Sequence, residues 1–406
     1  MKYILYSFFF LLLLSCSKTE SNIGVPSAPH KKHTVIIYAI ADNNLYNYAE
    51  KNIQAIEKCW YNSFNWNFVV VLDAPDYAIR KRPSVFKIEK PNNIEILPNN
   101  PNFDTTDKFT MKNIISDIKK QYPSDKYTLI LWSHATAWLP NNYELEQNRN
   151  ISTKSFGKNK EKELSIFDLE EIIPDNSFET IIFDACFMSS VEVLYQLRNK
   201  SKYTIASTAE ILQTGFPYKE LTLQLFDESK SPIDWAKSYF DYYNSQKGIY
   251  KSATISVIHN QYFKELETIM KKISIKEKNH IIINTQNIQK YDRLRESIFY
   301  DFYNYIEQFN LDNSKLNELK SILDKLVIYK ANTETFAKKI IINKHSGLST
   351  YILSDRTPKI LLDEYKKYSW YNLLNTKWYL SICEKRFNPY FLFSILKGGI
   401  KYNMKK

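Results

Sequence analysis

Apolar positions along this chain fall into short unbroken runs, separated by stretches in which they recur every three or four residues. His33–Ile40 (HTVIIYAI) and Phe68–Asp73 (FVVVLD) are runs of the first kind, rich in β-branched residues, and predict strands buried on both faces. Between them Asp42, Asn43 and Asn44 offer helix-capping side chains, and Leu45, Ala49, Ile53, Ile56 and Trp60 follow at helical spacing. A weaker strand or pair of strands is expected between Val85 and Leu97, and then a helix with Phe109, Met111, Ile114, Ile115 and Ile118 on one face, ending before Pro123. Tyr127–Trp132 (YTLILW) and Glu179–Asp184 (ETIIFD) predict two further buried strands, with a helix over Ile166–Ile173 between them. A helix over Met188–Leu197 leads to a strand at Tyr203–Ser207. Buried strands alternating with amphipathic helices predict an α/β fold, a three-layer α/β/α domain with a mostly parallel sheet over residues 33–218.

Beyond Tyr218 the pattern turns mainly helical, with strands expected at Ala253–Ile258 and near Gly347–Ile352. Residues 219–406 are therefore expected to form a mainly helical C-terminal region packed on the first domain. At the other end, Lys2 precedes the apolar run Phe8–Leu14, which stops at Ser15-Cys16. That run is too short for a membrane span and suits a secretory signal over residues 1–15. Leu13-Leu14-Ser15-Cys16 also resembles a bacterial lipobox, which implies cleavage before Cys16, lipid attachment to its sulfur and a flexible tether over residues 16–32. The expected product is exported and lipid-anchored to a bacterial membrane, at the outer membrane or the cell surface.

Composition narrows the function. The net charge of +11 comes from 55 basic against 44 acidic residues. Lys is spread along the chain instead of alternating with aromatics in one stretch, which argues against a nucleic-acid partner. Of the four Cys, lipidation of Cys16 leaves Cys59, Cys186 and Cys383, an odd number, so at least one thiol does not pair within the chain. No CxxC, HxxxH or HExxH spacing is present, and the seven Gly form no glycine-rich loop, so neither a metal site nor a phosphate cradle is expected.

Reactive residues stand where an open α/β sheet builds its sites, beyond the carboxyl ends of the strands. YTLILW runs into Ser133-His134, and ETIIFD runs into Ala185-Cys186. If those strands are neighbours, an imidazole faces a thiol across one edge, where it can take the thiol proton or stabilise the thiolate. A helix starting near Met188 would lower the thiol pKa further through its dipole. The N–H of Cys186 or of Ala135 could hold the oxyanion of a tetrahedral intermediate.

These residues resemble the clostripain family of cysteine peptidases, which shares a caspase-like fold with gingipains, legumains and caspases. The resemblance rests on Leu129-Ile130-Leu131-Trp132-Ser133-His134, on Phe183-Asp184-Ala185-Cys186-Phe187-Met188 and on Val191-Glu192-Val193. It extends to Ala41-Asp42-Asn43-Asn44-Leu45, Ala206-Ser207, Gly215-Phe216-Pro217-Tyr218 and Gly347-Leu348-Ser349-Thr350-Tyr351. His134 and Cys186 lie 52 residues apart, similar to the roughly 50 of caspase-like enzymes. What this implies is a cysteine endopeptidase with polypeptide substrates, His134 as general base, Cys186 as nucleophile, and Asp184 at the floor of an S1 pocket that accepts Arg or Lys. It also implies a monomer that needs no cofactor, although some relatives use calcium; no EF-hand-type loop is present to bind it. Relatives are matured by cleavage in the region corresponding to Asn141–Glu163, where Arg149, Lys154, Lys158, Lys160 and Lys162 stand.

Three positions depart from the family pattern. Ala135 follows the His where relatives usually carry Gly, Thr214 stands where they often place a second S1 acid, and Ser207-Thr208-Ala209 replaces a more acidic run. These departures keep open a second reading, a catalytically silent peptidase homologue displayed as a surface binding lipoprotein.

Overall fold

Ten-residue β1 (Lys31–Ile40) and eight-residue β2 (Trp66–Asp73) pair in parallel. They begin a nine-stranded sheet in a computed structural model that describes residues 28–374, apart from 62–64, 76, 79–82, 97–103, 142, 144–162, 277–283, 295, 310 and 355. The expected signal segment with Cys16, most of the processing region, Cys383 and the basic C-terminal stretch lie outside the described residues. The other strands in chain order are β3 (Ser84–Lys87), β4 (Ile94–Glu95), β5 (Ser124–Trp132), β6 (Phe178–Asp184), β7 (Ser201–Ala206), β8 (Thr254–His259), β9 (Tyr300–Asp301), β10 (Val327–Asn332), β11 (Thr335–Phe336), β12 (Ile340–Ile341) and β13 (Ser349–Thr350). The large sheet runs β10-β8-β7-β6-β5-β1-β2-β3-β4, parallel from β7 to β2 and antiparallel outside that block.

Alternation along the strands explains the three layers. Ile36, Tyr38, Val69, Leu129, Leu131, Ile181 and Phe183 point to one core, whereas Val35, Ile37, Val70, Ile130, Trp132 and Ile182 point to the other. The second core is covered by α1 (Tyr46–Cys59), α5 (Tyr218–Leu225) and α6 (Pro232–Asn244). The first is covered by α2 (Lys108–Gln121), α3 (Ile166–Ile172), α4 (Val191–Gln196), α7 (Phe263–Lys276) and α9 (Asn313–Leu326). It also takes up α8 (Phe302–Ile306), α10 (Lys359–Tyr365) and α11 (Ser369–Leu373). The α/β/α architecture and the mostly parallel sheet match the sequence-based expectation.

Several details differ from it. The sheet does not end near residue 218, because β8 and β10, from the portion read as mainly helical, extend it in antiparallel pairing. Residues 28–32, assigned to the tether, are docked: the Ala28 N–H donates to Gln121 O at 2.8 Å, and β1 begins at Lys31. Phe109, placed on the inner face of α2, is 62% exposed, since two residues before Met111 it falls on the opposite side of the helix from the buried Met111, Ile114, Ile115 and Ile118. The helix expected from Met188 starts only at Val191, with Ser190 as N-cap.

The late Gly347-Leu348-Ser349-Thr350-Tyr351 segment packs against that same region. Ser189 Oγ donates to Gly347 O at 2.7 Å, the Ser349 N–H donates to Ser189 O at 2.9 Å, and Ser190 bridges Ser349. Glu192, buried on α4, accepts from the Thr350 hydroxyl, the Tyr351 N–H and the Tyr365 hydroxyl at 2.8, 2.9 and 3.0 Å. One carboxylate thus fastens the C-terminal elements to the side of the sheet that carries Cys186. Glu192→Ala would strand three buried donors, and a loss on the order of 3 kcal/mol is expected in urea unfolding; an unchanged midpoint would mean that these contacts do not hold the two parts together.

Candidate active site

The chain leaves β1, β5 and β6 at the same level. Ala39 is in register with Trp132, and Trp132 with Asp184, so Ala41, Ser133-His134 and Ala185-Cys186 emerge from one edge. Chain order makes this edge special: β2 lies on one side of β1 and β5 on the other, so the β1/β5 crevice is the topological switch point of the sheet. Across that crevice His134 Nε2 is hydrogen-bonded to Asn44 Oδ1 at 2.8 Å. An amide oxygen only accepts, so Nε2 carries the proton in this bond and Nδ1 is the basic nitrogen. Ser133, the residue before His134, donates from Oγ to Ile40 O at 3.0 Å and fixes the exit of β5 against that of β1.

His134 and Cys186 line one cavity of about 380 Å³, together with Asn44 and Ala135. Its other walls are largely apolar, with Phe187, Ile211, Leu212 and Phe336, and the exposed Ile249 and Tyr250 form its lip. Glu210, Arg293 and Lys339 are its charged lining groups. Ala135 is 3% exposed and is not among the residues with positive φ, so a methyl group replaces hydrogen there without backbone strain.

Cys186 sits in a turn, not at a helix end. Phe187 follows it at φ +61°, a left-handed conformation that costs a side-chain-bearing residue on the order of 1 kcal/mol. The turn is pinned: the Phe187 N–H donates to Ala209 O and the Ser189 N–H to Ser207 O, each at 2.9 Å, while the Phe187 ring stacks on Phe299 at 4.3 Å. The half-buried Cys186 sulfur accepts from the Ile211 N–H at 3.3 Å and lies 3.7 Å from the Ile211 carbonyl oxygen. Burial and, next, the Glu210 carboxylate push its thiol up to about 12. This reverses the depression expected from a helix starting at Met188, because that helix begins five residues after Cys186 and a carboxylate stands nearby instead.

Asp184 is buried and does not belong to the lining of this cavity. Its Oδ2 accepts from the Phe216 N–H and the Tyr218 hydroxyl, both at 3.0 Å. Gly215 covers it, at φ +68°, so closely that a Cβ there would lie 2.6 Å from Oδ2. Thr214 is exposed; its hydroxyl meets the Tyr243 hydroxyl at 2.7 Å, and its carbonyl accepts from Asn52 Nδ2 at 3.3 Å. Among the described residues, no group of three or more His, Cys, Asp or Glu side chains could hold a metal ion. None of the described helices is long and apolar enough to cross a membrane.

Comparison with known proteins decides the lineage. The sequence profile of the clostripain family matches residues 37–385. The chain belongs to the clostripain family. Clostripain of Hathewaya histolytica is 24% identical over 91% of this chain and 84% of its own length. The X-ray structure of an inactive zymogen of a C11 protease from Parabacteroides distasonis superposes with a TM-score of 0.71 at 28% identity, covering 85% of this chain and 98% of that one. A secreted C11 cysteine protease from Bacteroides thetaiotaomicron, solved in complex with an irreversible peptide inhibitor, shares the fold with a TM-score of 0.71 at 24% identity, over 85% and 99% of the two chains. Its clostripain relatives thus mark the chain as a member of a cysteine peptidase lineage with a caspase-like fold.

Three residues around the cavity escaped sequence reading in this clostripain homologue. Asn44 was read as a helix-capping residue; in fact Asn43 Oδ1 accepts the Leu45 N–H at 2.8 Å, and Asn44 is left to face His134. Glu210 and Arg293 lie outside any strand-end motif and meet only in the fold. The burial of Asp184 has a measurable signature, since it raises the carboxyl pKa from 3.8 to about 7 despite the two hydrogen bonds that oppose the shift. A raised carboxyl stabilises the fold at low pH and loses that contribution as pH climbs from about 4 to about 7. Asp184→Asn keeps an acceptor for Phe216 and Tyr218, so its unfolding midpoint relative to wild type should climb across that window and then level. A pH-independent difference in thermal unfolding would contradict the assignment.

Proposed function

We propose that this protein is a cysteine endopeptidase in which His134 and Cys186 form the catalytic dyad. The observation that carries this reading is that His134 and Cys186, from the ends of adjacent parallel strands, line one cavity in a chain of the clostripain family. With its thiol held high, Cys186 rests in the neutral form, so His134 acts as a general base that removes the proton as sulfur attacks the peptide carbonyl. Asn44 keeps Nε2 protonated, which leaves Nδ1 to receive that proton and to return it to the leaving amine. The backbone N–H groups of Ala135 and Cys186 are assigned to the oxyanion, and water then releases the acyl group from sulfur.

Cleavage after Arg or Lys is the proposed preference. The Asp184 carboxylate acts on the Cys186 sulfur in the sense that raises its pKa, a field that favours a cationic side chain, whereas Glu210 is already paired with Arg293. The apolar walls suit the aliphatic stem of such a residue. The same preference would make Arg149, Lys154, Lys158, Lys160 or Lys162 a self-processing site. Export and lipid attachment at Cys16 are proposed from the sequence of residues 1–16.

Fluorogenic peptides with Arg, Lys, Leu or Asp at P1 test the enzyme. Turnover of the basic peptides is expected, with loss of at least about a thousandfold in Cys186→Ala and His134→Ala and a loss of about tenfold to a hundredfold in Asn44→Ala. No turnover by folded, reduced protein would favour the silent surface binder instead. For the anchor, Cys16→Ser should move the expressed protein from the membrane fraction to the soluble exported fraction; an unchanged distribution would rule out lipid attachment at that sulfur.

A further inference from the structure

Residues that follow β7 fold back over the nucleophile. Ala209 O takes the Phe187 N–H, and Ile211 presents both its N–H and its carbonyl to the Cys186 sulfur, at 3.3 and 3.7 Å. Glu210 stands between these two contacts. Its carboxylate is gripped by Arg293 in two bonds, from Nε at 3.0 Å and from Nη2 at 2.8 Å, with the side chains only 12% and 21% exposed. Such a forked pair fixes orientation as well as charge.

Arg293 is itself held in place by its neighbours. The adjoining Asp292 is buried and accepts the N–H groups of Leu294, Ile298 and Phe299 at 3.0, 2.8 and 2.8 Å, closing a tight loop. That loop touches the nucleophile turn by a second route, since Phe299 stacks on Phe187 at 4.3 Å. Glu210, Arg293, Phe187 and Cys186 all line the same cavity.

We propose that Arg293 is a positioning residue for the nucleophile: its fork on Glu210 clamps residues 209–211 against the Cys186 turn and neutralises a carboxylate that would otherwise oppose thiolate formation. The inference rests on Cys186 being the nucleophile. The electrostatics agree with the geometry, because Glu210 raises the Cys186 thiol whereas Arg293 lowers it. Asp184, at the end of β6, also raises it, and His134 and Lys339 face the same cavity. Removing only the cation therefore leaves two carboxylates acting on the sulfur. Lys at position 293 would keep the charge but lose the fork, which separates the electrostatic role from the clamping role.

The test is the pH profile of Cys186 alkylation by iodoacetamide, read by peptide mass spectrometry so that the other cysteines are scored apart. Arg293→Met should raise the apparent thiol pKa by about one unit and slow alkylation near neutral pH about tenfold. Glu210→Gln should lower the pKa and speed the reaction, and the double variant should return to within about threefold of wild type, because no uncompensated carboxylate remains at position 210. Arg293→Lys should keep the profile while raising KM for a peptide substrate. The proposal is overturned if Arg293→Met leaves the profile unchanged, if the double variant is as slow as Arg293→Met, or if Glu210→Gln alone does not speed alkylation, an outcome that can be read even if Arg293→Met does not fold. Failure of the peptidase reading would look different, as absent peptide turnover in a wild type whose Cys186 still responds to these substitutions.

Discussion

Parallel pairing of β1, β5 and β6 is the constraint on which the rest of the molecule depends. In a parallel block every strand releases its chain at the same edge, so residues far apart in sequence are delivered side by side. Register does the fine placement: Ala39, Trp132 and Asp184 share one level. A slip of one residue in β6 would also turn Ile181 and Phe183 into the wrong core, so the burial of two apolar faces enforces the alignment of the site. The late Gly347–Tyr351 segment and Glu192 then brace the turn that carries Cys186 from behind.

Electrostatics around the thiol set the character of the chemistry. Burial and, next, the Glu210 carboxylate push the Cys186 thiol up. Under the proposed dyad, activation depends on His134, whose Nε2 meets Asn44 Oδ1 on the opposite side of the crevice. The Ile211 carbonyl, 3.7 Å from the sulfur, is a second partner of the thiol. With that dyad as proposed, the site works as a neutral thiol beside a base rather than as a standing thiolate–imidazolium pair.

Much of this was legible in the sequence because burial on both faces writes parallel strands as unbroken apolar runs. HTVIIYAI, FVVVLD, YTLILW and ETIIFD each became a strand of the central block, and His134 and Cys186, two positions beyond YTLILW and ETIIFD, line the cavity. The strands β8 and β10 were harder to assign to the sheet, because an antiparallel edge beside long helices has no pattern that names its partner. Capping chemistry misled twice. The same residue types that cap helices also bind side chains across a crevice, as Asn44 does, and a Ser at position 190 started the helix later than the apolar spacing suggested. Glu210 and Arg293 were invisible for a simpler reason: eighty-three residues separate them, and only the loop closed by Asp292 brings them together.

The most direct test of the central claim is to expose the protein to an irreversible peptide electrophile ending in Arg or Lys and to map the adduct by mass spectrometry in wild type and His134→Ala. The account predicts a single adduct on Cys186 that forms at least about a hundredfold faster with His134 present. An adduct on another residue, or equal labelling of Cys186 in both proteins, would contradict it, since a thiol that reacts without the imidazole is exposed but not catalytic.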